Sequence, residues 1–193
     1  MRPAFAADPL VNVLFGVTVT LWVISEVAAS LRRRSNAMNT DRFSLMILRG
    51  CITLGVFLSV LSLRMIGANF AETSVTLGIG LLLLWSGIGL RWWSFWALGR
   101  YFTFAVMTSA DQPVITSGPY RLLRHPSYAG VLLALTGLGV CFGNWLSLVA
   151  LLVLPTIGLL YRIRVEEAAL SAAVGTTYAA YASGRKRLIP FVW

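Results

Sequence analysis

The sequence predicts an all-α integral membrane protein with about five transmembrane helices. Three observations predict it. Only 12% of the 193 residues are charged, against about 25% in soluble domains. Mean hydropathy is +0.77. The apolar residues gather into five runs, most of them near the roughly 20 residues that cross a bilayer. Backbone groups in lipid must find partners within their own segment, so these runs are helices. They lack the polar–apolar alternation of a β-barrel.

The first run covers 10–31. Arg32-Arg33-Arg34 follows at once and no strong basic stretch precedes it, which marks a stop-transfer span and not a cleaved leader. The second covers 45–63. The third covers 75–90 and extends toward Trp92-Trp93-Ser94-Phe95-Trp96, an aromatic cluster of the kind found at membrane interfaces. The fourth, 128–142, is short for a span. The fifth covers 145–161. Gly143-Asn144 separates these two as a turn, so they form an antiparallel hairpin. Residues 162–181 read as one more helix at the interface, with Val165, Leu170, Val174, Tyr178 and Tyr181 on one face. The chain is expected to be one domain, 1–193, with N-terminal spans in 1–70 and the cofactor-binding, catalytic region in 91–193.

Net charge is +9. The basic residues lie beside apolar runs and form no soluble face interleaved with aromatics, which excludes nucleic acid as a partner. They also set orientation. Arg32, Arg33, Arg34 and Arg42 follow the first span, Arg91, Arg100, Arg121 and Arg124 the third, and Arg162, Arg164, Arg185, Lys186 and Arg187 the fifth. Only Arg2 and Arg64 fall on the other side. The positive-inside rule then puts the N-terminus outside and the C-terminus in the cytoplasm. Arg164 and the 185–187 cluster read as snorkelling anchors. Cys51, Cys141 and the lone histidine have no metal-ligand spacing, so neither a metal site nor a disulfide framework is expected.

Polar chemistry collects at the two open ends of the hairpin. One end is Arg124-His125-Pro126-Ser127-Tyr128-Ala129-Gly130, which holds the only histidine. Pro126 suits the first turn of a helix, and it pushes His125 toward an extended conformation. The N–H groups of Ser127 and Tyr128 would then lie free at a helix N-terminus, where a carboxylate binds. Gly130 permits close approach of another group. At the other end, Arg162 and Glu166 are four apart on one helical face, and Glu167 follows. The hairpin brings both ends to one membrane face. Glu26 and Arg49 are charges within spans, costly in lipid, and are candidates to pair with each other.

These residues carry a resemblance. Leu98-Gly99-Arg100-Tyr101-Phe102-Thr103, Val114-Ile115-Thr116-Ser117-Gly118-Pro119-Tyr120, and the RHPxYxG run at 124–130 together resemble the isoprenylcysteine carboxyl methyltransferases and their prokaryotic relatives. Arg162…Glu166-Glu167, Gly175-x-x-Tyr178-x-x-Tyr181 and Leu188-Ile189-Pro190-Phe191 keep the family's order. The likeness covers about the C-terminal half.

The resemblance implies S-adenosylmethionine as cofactor, in a cytosolic pocket at the open ends of the hairpin. Its contacts would be Gln112, Pro113, Val114, Ile115, Tyr120, His125, Pro126, Ser127, Tyr128, Glu166 and Glu167. Gln112 and Pro113 depart from the eukaryotic pattern. Arg162 and Arg124 would be the catalytic cations that orient a carboxylate nucleophile. The implied substrate is a prenylated or otherwise lipidic amphiphile held in the bilayer, most simply a prenylcysteine carboxylate. Three other readings stay open. Phospholipid amine methyltransferases share RHPxYxG and a downstream Glu pair. A steroid-reductase-like oxidoreductase shares a hairpin of this kind. A structural membrane protein with basic anchors would bind neither cofactor.

Overall fold

The structure, a computed structural model, describes residues 9–31, 38–39, 41, 43–65, 68–70, 74–102, 107–108, 113–190 and 192–193. Six helices carry the fold: α1 (Pro9–Ser30), α2 (Ser44–Ser62), α3 (Ser74–Leu98), α4 (Pro126–Cys141), α5 (Trp145–Val174) and α6 (Thr176–Ser183). Among the described residues, α1, α2, α3 and α5 are long and apolar enough to cross a membrane. The fifth apolar helix, α4, has 16 residues. At 1.5 Å per residue it is about 24 Å long, short of the roughly 30 Å hydrocarbon core. The sequence foresaw no strand, yet β1 (Met38–Asn39) pairs antiparallel with β2 (Met107–Thr108).

One boundary differs from expectation. Residues 145–161 and 162–174 are a single helix of 30 residues. The run of Arg, Glu, Ala and Leu after Tyr161 changes polarity but contains nothing that breaks a helix. The break comes at Gly175, whose φ of 60° lies in the left-handed region that favours glycine. At about 45 Å, α5 outruns the bilayer core, which carries Arg162, Glu166 and Glu167 past its last apolar turns.

The helices associate as lipid requires, through small residues. Gly80, Leu84 and Gly87 of α3 face Gly130, Ala134, Gly137 and Cys141 of α4. A Cβ on Gly87 would stand 2.5 Å from the Gly130 carbonyl oxygen, and one on Gly137 would stand 2.6 Å from that of Gly80. So Gly130 does admit a close neighbour, and that neighbour is α3. Leu84, Ile88, Ala134, Leu135 and Leu138 form the core with Phe15 and Trp22 of α1. The outer surface is rich in exposed apolar side chains such as Leu82, Val149 and Ile157, as expected of a lipid-facing bundle.

The closed end of the hairpin is pinned by Asn144, which is fully buried. Its Oδ1 caps α5 by accepting from the Ser147 N–H at 3.0 Å. Its amide donates to the Ser62 carbonyl of α2 at 3.2 Å and to Asn69 at 2.9 Å. This fixes α2 against α5 and sets the register that brings Ser44, at the other end of α2, to Arg162.

Glu26 and Arg49 do not pair. Glu26 binds Arg91 of α3 through both carboxylate oxygens and accepts from Trp22 Nε1 at 3.2 Å. Arg91 is 5% exposed. Burying such a cation demands a counter-charge, and Glu26 supplies it. The sequence reading treated Arg91 as a flanking anchor and so left Glu26 without its true partner.

Candidate active site

Pro126 opens α4 as its first residue, and His125 stands outside the helix with φ −125° and ψ 57°. The helix N-terminus is less open than expected. The Tyr128 N–H donates to the His125 carbonyl at 3.0 Å, and the Ala129 N–H donates to it at 3.1 Å.

Tyr128 stands at the centre. Its hydroxyl donates to Glu166 Oε2 at 2.6 Å and accepts from Arg162 Nε at 2.8 Å. The helical pair Arg162 and Glu166 is thus joined through a phenol of the facing helix. Arg162 is 3% exposed, whereas the Glu166 side chain is 30% exposed. A second set of bonds reaches back to the N-terminal half. Arg162 donates to Asp41 Oδ1 at 2.8 Å and to Ser44 Oγ at 2.9 Å. Burial alone would raise the Asp41 carboxyl, but the Ser44 hydroxyl, the Arg162 guanidinium and the Leu45 N–H outweigh it and hold the carboxyl below its usual range.

Glu167 is the hub of the adjoining layer. Its Oε1 accepts from Arg124 at 2.8 Å and lies 3.2 Å from His125 Nε2. Its Oε2 accepts from Arg187 at 2.8 Å. Arg124 also donates to the Arg185 carbonyl at 2.9 Å. The backbone N–H groups of Arg124 and His125 donate to the carbonyls of Lys186 and Arg187 at 2.8 and 3.0 Å. The 185–187 cluster is therefore more than an anchor: it straps the chain before α4 to the end of α5. Arg164 is exposed, as expected of an anchor. The His125 ring stacks on Tyr128 at 5.5 Å between centroids.

Tyr120 is buried beside this cluster. Burial first, then the Glu166 carboxylate, push its phenol well above its ordinary range, so it stays a neutral donor. Tyr181 donates to the carbonyls of Tyr120 and Leu123 at 3.0 and 3.2 Å, and burial pushes it up to about 12. Tyr178 is buried, and its hydroxyl has no hydrogen-bond partner. Burial, then Glu167 and Glu166, raise it. Ser127 accepts from Arg91 at 2.8 Å. Val114 and Ile115 are half-buried and Pro113 is exposed. Gln112 lies outside the described residues.

The structure thus gathers Arg124, His125, Tyr128, Arg162, Glu166 and Glu167 into one connected set. Sequence reasoning missed Asp41, just before α2, Ser44 of α2 and Arg91 of α3 as site residues, since none carries a motif, and it read Tyr178 as part of a helix face and of the Gly175-x-x-Tyr178-x-x-Tyr181 pattern but not as a site residue. Beneath the set opens a cavity of about 550 Å³ between α1, α2, α3, α4 and α5. Aliphatic side chains such as Val19, Leu48, Leu135 and Leu159 make most of its wall, and Tyr128 and Arg162 line it too.

A mostly apolar cavity with a few convergent polar groups is the usual form of a small-molecule site. Residues 79–172 match the isoprenylcysteine carboxyl methyltransferase (ICMT) family. The resemblance read from the sequence is borne out. Protein-S-isoprenylcysteine O-methyltransferase A of Arabidopsis thaliana is 34% identical over 115 residues, which is 58% of each chain. The probable protein-S-isoprenylcysteine O-methyltransferase of Oryza sativa subsp. japonica is 33% identical over 59% of this chain and 61% of its own. The chain therefore spans about three fifths of the length of these curated relatives. The solved structure of the eukaryotic intramembrane Ras methyltransferase ICMT superposes with a TM-score of 0.58 at 24% identity, over 80% of this chain and 55% of that one. The fold is that of an integral, multi-pass membrane protein.

Proposed function

We propose that this protein is a membrane methyltransferase that moves a methyl group from S-adenosylmethionine to the carboxylate of a prenylcysteine-like amphiphile. The observation that carries the reading is the Tyr128 hydroxyl bridging Arg162 and Glu166 beside an apolar cavity. A polar pocket for the donor and a greasy groove for the acceptor meet at one phenol.

The residues present suit the donor. The buried Tyr178 hydroxyl, unpartnered beside Glu166 and Glu167, is a group such a ligand would satisfy. The partly exposed Glu166 carboxylate suits an ammonium group, and neutral Tyr120 suits a carboxylate or hydroxyl. His125 and Glu167 hold the loop before α4 in place, with Val114 and Ile115 as an apolar rest and Pro113 beside them. Ser127 and Pro126 set the helix start that aims Tyr128.

When bound, S-adenosylmethionine supplies an activated methyl on a sulfonium. The chemistry it would supply there is transfer of that methyl to a carboxylate, a nucleophile already deprotonated at neutral pH. No proton moves, so no general base is needed. The chain has to align the two groups and keep water out. In this reading Arg162, held by Asp41 and Ser44, keeps Tyr128 and Glu166 in line beside the reacting carboxylate, while Arg124, committed to Glu167, positions the loop. The cytoplasm is the side assigned to this site, by the arginines that crowd it.

Methylation of a phospholipid amine would need a group to take the ammonium proton. The cavity is lined by three arginines and one glutamate, which favours an anionic head over a cationic one.

Calorimetric titration with S-adenosylmethionine tests the reading. Glu166→Ala should weaken binding at least tenfold, by the worth of a charge-assisted bond. Tyr178→Phe should weaken binding without lowering stability, since its hydroxyl has no partner to lose. Undiminished binding in both variants would overturn the site.

A further inference from the structure

Three cations line the cavity: Arg49, Arg91 and Arg162. Arg91 is neutralised by Glu26 and also donates to Ser127. Arg162 is neutralised by Asp41 and also donates to Ser44 and Tyr128. Arg49 has no hydrogen-bond or ion-pair partner among the described residues. Yet it sits on the groove face of α2. Leu45, Leu48, Arg49, Ile52 and Val56 all line the cavity, and their spacing of three and four makes them one helical stripe. Every other member of that stripe is aliphatic. Arg49 is exposed and not buried, so its guanidinium is open to a ligand, and within lipid an unmatched charge is costly.

We infer that Arg49 is the head-group anchor of the groove, a site for the carboxylate of an acidic amphiphile whose apolar tail fills the cavity. Charge complementarity selects this occupant. The wall is apolar, its other cations are taken, and a guanidinium fork matches a carboxylate in geometry as well as charge. Placement agrees. Arg49 lies five residues beyond Ser44, about 7.5 Å along the helix, and side chains on a helix lean toward its N-terminus. Arg49 shares the cavity wall with Tyr128 and Arg162. Arg49 lies outside the segment that matches the family, 79–172.

The inference deepens the methyltransferase reading and rests on it for one consequence. The acid carries the charge Arg49 holds, and the methyl ester does not. The same side chain that retains substrate lets product go.

The test uses the full chain in nanodiscs of zwitterionic lipid, with two probes of identical tail: N-acetyl-S-farnesylcysteine and its methyl ester. Wild type should bind the acid about tenfold more tightly than the ester, the worth of one charge-assisted contact. Arg49→Gln should erase that preference and leave ester affinity unchanged, and Arg49→Lys should keep part of it. Equal binding of the two probes by wild type, or binding of neither, overturns the proposal. So does a Gln variant that keeps the preference, which is the result an interfacial anchor would give. S-Adenosylmethionine affinity on the same samples reports folding. If the Gln variant loses that too, the wild-type comparison and the Lys variant decide. An acid preference in wild type without any cofactor binding would overturn the methyltransferase reading and leave the Arg49 site standing.

Discussion

Tyr128→Phe removes a single oxygen from the centre of the site. That oxygen accepts from Arg162 at 2.8 Å and donates to Glu166 at 2.6 Å. The two losses are unequal. The Glu166 side chain is 30% exposed, so water can replace the phenol there. The Arg162 side chain is 4% exposed, so water does not readily replace the phenol there, although Asp41 and Ser44 still hold its Nη1. Neutral hydrogen bonds between membrane helices average about 0.6 kcal/mol, but a hydrogen bond to a charged group contributes about 1.5–3 kcal/mol. One such loss in full, with the Glu166 side largely repaired, makes the expected destabilisation about 2 kcal/mol. Equilibrium unfolding in mixed micelles measures it. Methyl transfer should fall in the same variant, because Arg162 and Glu166 are no longer held in register. A loss below about 0.5 kcal/mol, the range of neutral surface changes, would refute the view that the phenol joins the two charges.

Three further outcomes follow from particular contacts. Gly87→Ala should destabilise the protein by at least about 1–3 kcal/mol, the usual cost of overpacking, because its methyl group would meet the backbone of α4; loss of the folded peak in detergent chromatography checks it. Glu167→Gln should loosen the strap formed by residues 185–187, since Arg124 and Arg187 lose their common anion, and limited proteolysis beyond Ser183 should quicken while α1 to α3 stay protected. Asp41 has a folded-state pKa below its ordinary 3.8. Its stabilisation is therefore fully present above that value and lost as pH falls through the lower one. Asp41→Asn should flatten this acidic limb in a stability–pH profile, and an unchanged limb would count against the Arg162–Asp41 pair.

The spans could be read from hydropathy because each is a long apolar run with few charges, and the starts of α4 and α5 could be read from Pro126 and Asn144. The meeting of Tyr128 with Glu166 followed from hairpin geometry plus the motif. What could not be read was which distant charges pair. Arg91 looks like any basic residue after an apolar run, and only the α3–α4 glycine contact shows that it turns inward to Glu26. Asp41 precedes α2 without a motif, and its link to Arg162 depends on the register that Asn144 sets at the far end. The join of 145–161 to 162–174 was missed because a change in polarity is easily taken for a change in structure. Tyr178 was visible as a face residue, but an unsatisfied hydroxyl is a property of packing, which a linear pattern does not carry.

The most direct measurement is transfer of labelled methyl from S-adenosylmethionine by the purified protein, with a farnesylcysteine acid and phosphatidylethanolamine offered side by side. Label should appear on the acid, be released by mild base as an ester would be, and be lost in Glu166→Ala. Label on the amine, or none on either acceptor from a folded protein that binds the donor, would contradict carboxylate methylation at this site.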